Sequence, residues 1–247
     1  MAKISNAKPK NSSGGYLRLV ENITLADIFT KAQSTVITNG SELEKILLSK
    51  AEQNNQNIKD LNTFLDDFNN DLIQTNCYIC SKKILKKSKL NLKGTEPDFL
   101  IFNVKQHQRN NDCYVIELKD GDSFDTKKST SEKHSLSQFV IHLAPQIPFK
   151  IKFFICCFNQ NSKEQIVNGF KSKFTIDEVM TGKEFCNLLN INYDEIVNQR
   201  QSDAKENFDY VLSQLSNIPE MIHKVNLLQQ KIISKADFYP EESDYYE

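Results

Sequence analysis

The sequence predicts an α/β fold: a mixed central β-sheet flanked by helices, with helical additions at both ends. Two short apolar, β-branched runs, 98–104 and 113–119, lie on either side of a polar connection and read as adjacent strands. Phe149 to Phe158, with Ile151, Phe153, Phe154, Ile155, Cys156 and Cys157, is the most apolar run and reads as a central strand buried on both faces. Around these runs, apolar residues recur at helical spacing, as in Leu43, Ile46 and Leu47, or Leu136, Phe139, Val140 and Leu143.

At 247 residues and 39% hydrophobic, the chain can bury a full core. Its formal net charge of −1 announces no nucleic-acid partner, so any such surface must come from local segregation of charge. No stretch approaches the roughly 20 apolar residues of a membrane span, and Met1-Ala2-Lys3-Ile4-Ser5 lacks the apolar core of a signal peptide. A cytoplasmic protein with no membrane partner is expected, and its six cysteines are expected as reduced thiols or metal ligands.

Taken in order, residues 1–15 are polar and glycine-bearing, a flexible lead, and 16–240 is expected as one domain. Its first section, 16–75, is helical. Thr24 caps a short helix to Ala32, and Ser41 with Glu44 forms a capping box that starts a second helix. Asn54, Asn55 and Asn57 weaken it, and Ile58, Leu61, Phe64, Leu65, Phe68 and Leu72 resume the periodicity. The next section, 77–195, opens on Cys77-Tyr78-Ile79-Cys80 and a lysine run, Lys82, Lys83, Lys86, Lys87, Lys89 and Lys93, six lysines in twelve positions. A lysine run is ordinarily a solvated face, but this one leads into an acidic cluster, and Lys86, Lys87 and Lys89 are candidate phosphate contacts. One CxxC is half of a tetrahedral zinc site, and with His107 isolated in the 105–112 connection no zinc is expected.

The acidic cluster carries the chemistry. Eighteen residues separate Asp98 from Glu117, which suits neighbouring antiparallel strands, and the two-residue period of a strand puts Glu117 and Lys119 on one face with Leu118 on the other. Two such carboxylates suit Mg2+, with the Leu118 carbonyl as a further ligand and waters and a substrate phosphate completing the shell. A metal held there acidifies water and offsets charge on a phosphorane. Lys119 is placed to orient or help deprotonate the attacking water, and a lysine beside a dication is a candidate for a depressed pKa. The bland alternative, a surface hairpin with an ordinary Glu and Lys pair, leaves unexplained why both charges end an apolar strand.

Pro97-Asp98 followed by Glu117-Leu118-Lys119 resembles the active-site pattern of the PD-(D/E)XK nuclease superfamily. The continuation from Asp120 to Ser129 looks like the segment after the active site in type II restriction endonucleases, and Thr181 to Leu189 resembles a downstream segment of such enzymes. The resemblance covers 96 to about 195. It implies a PD-(D/E)XK core, Asp98 and Glu117 as metal ligands, Lys119 as the catalytic lysine, and Mg2+ as the cofactor. It also implies double-stranded DNA as substrate and a cognate DNA methyltransferase as functional partner. A homodimer is expected, because a palindromic site presents two scissile bonds related by a two-fold axis. A repair, recombination or structure-selective nuclease of the same superfamily would use the same trio, and a non-catalytic DNA-binding protein would use the lysines alone.

Beyond the trio, Lys127 and Lys128 are further candidate phosphate contacts. The helix from Lys133 to Leu143 is expected to pack on the sheet; Gln138 is a candidate to face the site, although a solvent-facing glutamine is the simpler reading. His134 and His142 lie two turns apart, about 12 Å of rise, too far for one metal. Ser162 to Lys171 reads as a helix, and Thr181 with Glu184 repeats the capping-box spacing. In the last section, 196–240, Phe208, Val211, Leu212, Leu215 and Ile218, then Ile222, Val225, Leu228 and Ile232, form an amphipathic helical pair broken at Pro219, a surface for dimerisation or for packing on the core. Residues 241–247 are an acidic tail.

Overall fold

A computed structural model of the chain describes residues 1–8, 14–105 and 111–236, the last six as backbone only. His107, part of the polar connection, residues 9–13 of the lead and the acidic tail lie outside the described residues. The chain forms two compact units, one from 1–38 with 200–236 and one from 39–199. Two helices, α2 (Ile23–Gln53) and α8 (Tyr193–Leu215), contribute residues to both.

The 39–199 unit is built on a five-stranded mixed sheet in sequence order, β1 (Asn76–Ser81), β2 (Phe99–Val104), β3 (Asp112–Lys119), β4 (Lys150–Cys157) and β5 (Val179–Thr181). The β1, β2 and β3 ladder is antiparallel, and β3, β4 and β5 run parallel. Alternation along the strands separates two apolar layers. Leu100, Phe102, Cys113, Val115 and Ile155 join α3 (Leu61–Asn69), α5 (Thr126–Leu143) and α6 (Lys163–Gly169) on one face. Phe99, Ile101, Ile116, Leu118 and Cys156 join the 43–51 part of α2 and α7 (Gly182–Leu188) on the other. The α/β expectation holds at this level: a central sheet flanked by helices.

Several local expectations change. Thr24 to Ala32 and the segment from Ser41 belong to one continuous 31-residue helix, α2, so Ser41 is not a cap. Thr38, Asn39, Gly40 and Ser41 are weak helix formers, but Leu43, Leu47 and Ala51 are fully buried, and packing outweighs propensity. The helix does end at the asparagines, with Asn55 in the left-handed region (φ 56°), and α3 restarts under an Asp60 cap whose side chain accepts from the Thr63 N–H. A short helix, α4 (Lys82–Leu85), follows β1 at the start of the lysine run. Cys77 and Cys80 lie on β1 an odd number of residues apart and face opposite layers, so they cannot close one tetrahedral site. The capping box at Thr181 and Glu184 forms as read, with both reciprocal hydrogen bonds in place.

In the other unit, α1 (Gly14–Val20) sets Tyr16 against Phe29 of α2, and α9 (Pro219–Ala236) follows α8. Residues 1–8, read from sequence as part of a flexible lead, are tied to α8. The Met1 amino group pairs with Asp203, Lys3 with Glu206 at 2.5 Å, and the Ile4 N–H donates to Asn207 Oδ1 at 2.7 Å. The amino terminus, one lysine and the backbone of this segment find partners among polar side chains of α8, which composition alone does not reveal.

Candidate active site

The β2–β3 register sets Phe99 opposite Ile116, so Asp98, one step before β2, lies opposite Glu117. Lys119 is two residues further along the same face. The Leu118 N–H donates to Asp98 Oδ2 at 2.9 Å and the Lys82 N–H to the Asp98 carbonyl oxygen at 2.9 Å, which fixes the start of β2 against its neighbours. The Phe158 N–H donates to the Lys119 carbonyl oxygen at 3.0 Å and holds the end of β3 against the chain after β4. Lys119 Nζ donates to Glu117 Oε1 at 2.8 Å and to Glu132 Oε1, on α5, also at 2.8 Å. The fold thus brings Asp98, Glu117, Leu118 and Lys119 to one place.

The electrostatics of the cluster follow from burial. Burial pushes the Asp98 carboxyl up, the Leu118 N–H partly opposes it, and the Glu44 carboxylate adds to the rise. Burial also raises Glu117, with the Asp98 charge adding to it and Lys119 countering. For Lys119, burial pulls the ammonium down, but Glu117 and Glu132 outweigh it and hold the group above its ordinary value. Without a cation in the site these two carboxylates set the Lys119 balance; the depressed value expected from sequence belongs to the lysine beside a dication. Glu44 is itself raised, first by burial and then by Glu117, with Lys82 opposing.

Two acidic residues were missed. Glu44 was read as half of a capping box; the same residue in the middle of α2 points its charge at Asp98 and Glu117 instead. Glu132 is the α5 residue that reaches Lys119, whereas Gln138, six residues on, is turned by roughly 240° and sits on another face. No short-range signal marks Glu44, since it depends on where a long helix crosses the sheet. Glu132 was findable as a carboxylate in the first turns of the helix that follows the trio.

Of the candidate phosphate contacts, Lys127 and Lys128 are exposed and line an open groove of about 310 Å³ with Asp125, Ser131 and Glu132. Lys128 Nζ lies 5.1 Å from the centroid of the Phe124 ring. Lys87 and Lys89 are exposed, and Lys86 lies 3.7 Å from Glu96. In the lysine run it is Lys82 whose charge acts on Asp98 and Glu44, through its position at the start of α4.

The donor set suits a small hard cation. It consists of carboxylate oxygens, crowded enough to raise one another, with an ammonium alongside. Among the described residues no group of three or more His, Cys, Asp or Glu side chains stands ready to enclose a metal. Two carboxylates match a Mg2+ that keeps several of its waters.

The site is thus a largely buried carboxylate pair with a lysine at one end of a mixed sheet. Among curated proteins, the chain is 43% identical over 232 residues to the type II restriction enzyme HhaII of Haemophilus parahaemolyticus, spanning 91% of this chain and 98% of that protein. No family model matches the chain, and no solved structure matches it. At that identity and coverage the chain belongs to the type II restriction enzymes, which are site-specific deoxyribonucleases.

Proposed function

We propose that this enzyme hydrolyses phosphodiester bonds in double-stranded DNA at a short specific sequence, with Mg2+, through a PD-(D/E)XK site made of Asp98, Glu117 and Lys119. The observation that carries the reading is the cross-strand placement of Asp98 and Glu117 with Lys119 on the same face. Asp98 and Glu117 would hold the cation with the Leu118 carbonyl, and Mg2+ bound there would supply Lewis-acid stabilisation of phosphate charge and a more acidic water. Lys119, hydrogen-bonded to Glu117 on the same face, is placed to neutralise charge developing on the phosphate and to orient or help deprotonate the attacking water. Glu44 adds negative charge to the cation's surroundings. Lys127 and Lys128, on the groove that includes Glu132, are placed to pair with backbone phosphates, and Lys86, Lys87 and Lys89 offer further positive charge.

In this reading residues 16–240 serve as one nuclease domain, two copies act as a homodimer on a two-fold site, and a cognate methyltransferase protects host DNA. The enzyme works in the cytoplasm; among the described residues no helix is long and apolar enough to cross a membrane.

The decisive experiment incubates the protein with unmethylated phage DNA and Mg2+ and sequences the fragment ends. Discrete fragments sharing an end sequence are expected. A smear would point to a structure-selective or non-specific nuclease, and intact DNA to a protein that only binds. Asp98→Ala and Lys119→Ala are expected to abolish cleavage while retaining sequence-specific binding, and full cleavage by Lys119→Ala would remove the mechanism.

A further inference from the structure

Lys119 is held from two sides. Glu117 is its neighbour on β3, but Glu132 reaches it from α5, thirteen residues further along the chain, and both carboxylates accept at 2.8 Å. All three side chains are largely buried: Lys119 keeps 15% of its exposure, Glu117 17% and Glu132 21%. A flexible four-carbon ammonium with one partner can pivot about it; a second, fixed acceptor leaves it one position. The second acceptor is fixed, because α5 is anchored independently of it. Ser129, Leu136, Phe139 and Leu143 are buried, Asp125 caps the helix, and Lys133 pairs with Glu178 at 2.7 Å. Glu132 also borders the groove lined by Lys127 and Lys128, and Lys128, four residues earlier, shares its face.

From this geometry we infer that Glu132 is a positioning residue for the cleavage reaction: it fixes the Lys119 ammonium relative to Glu117 and to a phosphate entering along the first turns of α5. The inference rests on the reading of Asp98, Glu117 and Lys119 as the cleavage site. Glu132 touches no reacting atom in this role; it acts through Lys119 alone.

The test compares single-turnover cleavage by the wild type, Glu132→Ala, Glu132→Gln and Lys119→Ala, on a duplex carrying the site mapped from fragment ends. Affinity for that duplex is measured with Ca2+ in place of Mg2+. Glu132→Ala is expected to slow the cleavage step by up to roughly 100-fold, the scale of a small misplacement, with affinity unchanged. Glu132→Gln, which keeps an acceptor oxygen, is expected to recover most of the rate. A wild-type rate in Glu132→Ala, or equal losses in the Ala and Gln variants, overturns the positioning role. A loss in Glu132→Ala that tracks a lowered Tm and disappears on cooling does so too, since it would mark a structural role only. If Lys119→Ala cleaves fully, the reading of the site fails instead; if it is inactive while Glu132→Ala is unimpaired, only the role of Glu132 fails.

Discussion

Asp98 is where burial and charge collide. Burial first, and then the charge of Glu44, hold its carboxyl above the ordinary range despite the Leu118 N–H and the nearby lysines. A carboxyl raised on folding binds its proton more tightly in the folded chain. Its contribution to stability is therefore full below the unfolded pKa and is lost as pH rises through the folded one. Asp98→Asn keeps an acceptor for the Leu118 N–H and removes the charge, so without divalent cations it is expected to match or exceed the wild-type Tm at about pH 8, by roughly 2–4 °C for each kcal/mol relieved. At about pH 4, near the unfolded carboxyl value, the advantage is expected to vanish. Mg2+ at about 100 times its Kd is then expected to stabilise the wild type at pH 8 by about 2.7 kcal/mol and to leave Asp98→Asn unmoved. Thermal melts across pH, with and without Mg2+, check all three outcomes, and an equal Mg2+ effect on both proteins would place the cation elsewhere.

At the scale of elements, the segment between β3 and α5 packs closely against one glycine. A Cβ added at Gly169 would lie 2.2 Å from the Asp122 carbonyl oxygen, and the Phe124 N–H donates to the Gly169 carbonyl oxygen at 3.0 Å. Phe124 also stacks on Phe170, with centroids 4.4 Å apart. Gly169→Ala must push back the 120–125 segment that connects Lys119 to the helix bearing Glu132. A cost of about 1–3 kcal/mol is expected by denaturant melts, with slower cleavage. Gly40 is the opposite case: it lies in mid-helix with open space where a Cβ would go. Gly40→Ala is expected to stabilise the chain by up to about 1 kcal/mol, and destabilisation would show that the helix needs its freedom there. Gly40 also shows why part of the fold was hidden in the sequence. The weak helix formers around it looked like a break, and only Leu43, Leu47 and Ala51, buried against a distant part of the chain, keep α2 continuous. The Asp98, Glu117 and Lys119 arrangement was legible because strand period and hairpin register are local rules. Glu44 was not, because it depends on where a long helix crosses the sheet; Glu132, in the first turns of the helix after β3, was within reach of the sequence, and only its contact with Lys119 needed the fold.

At the scale of the whole molecule, the end of α9 bears on the proposed dimer. From Ile222 to Gln230 every residue of the helix is exposed, including Val225 at 45% and Leu228 at 58%. An apolar stripe that no described residue covers gains by pairing, and helices in proteins owe most of their stability to packing of such a face. Met221, Val225 and Leu228 follow the 4-3 spacing of a coiled-coil seam, with Met and Leu at d and β-branched Val at a, a combination compatible with two parallel strands. Lys224 takes a g position, which parallel pairing sets opposite Gln229 at an e position of the second copy. The wild type is therefore expected by light scattering at twice the 28.5 kDa of one chain, and Val225→Glu with Leu228→Glu at the mass of one. Both side chains are exposed, so circular dichroism is expected to stay unchanged and to separate dissociation from unfolding. A double variant that remains dimeric would move the interface off α9, and a wild type that is monomeric at micromolar concentration would remove the homodimer itself. If α9 does pair the copies, the double variant loses the geometry that sets two cleavage sites across one two-fold DNA site. It is then expected to nick one strand and accumulate open-circular plasmid where the wild type yields linear DNA.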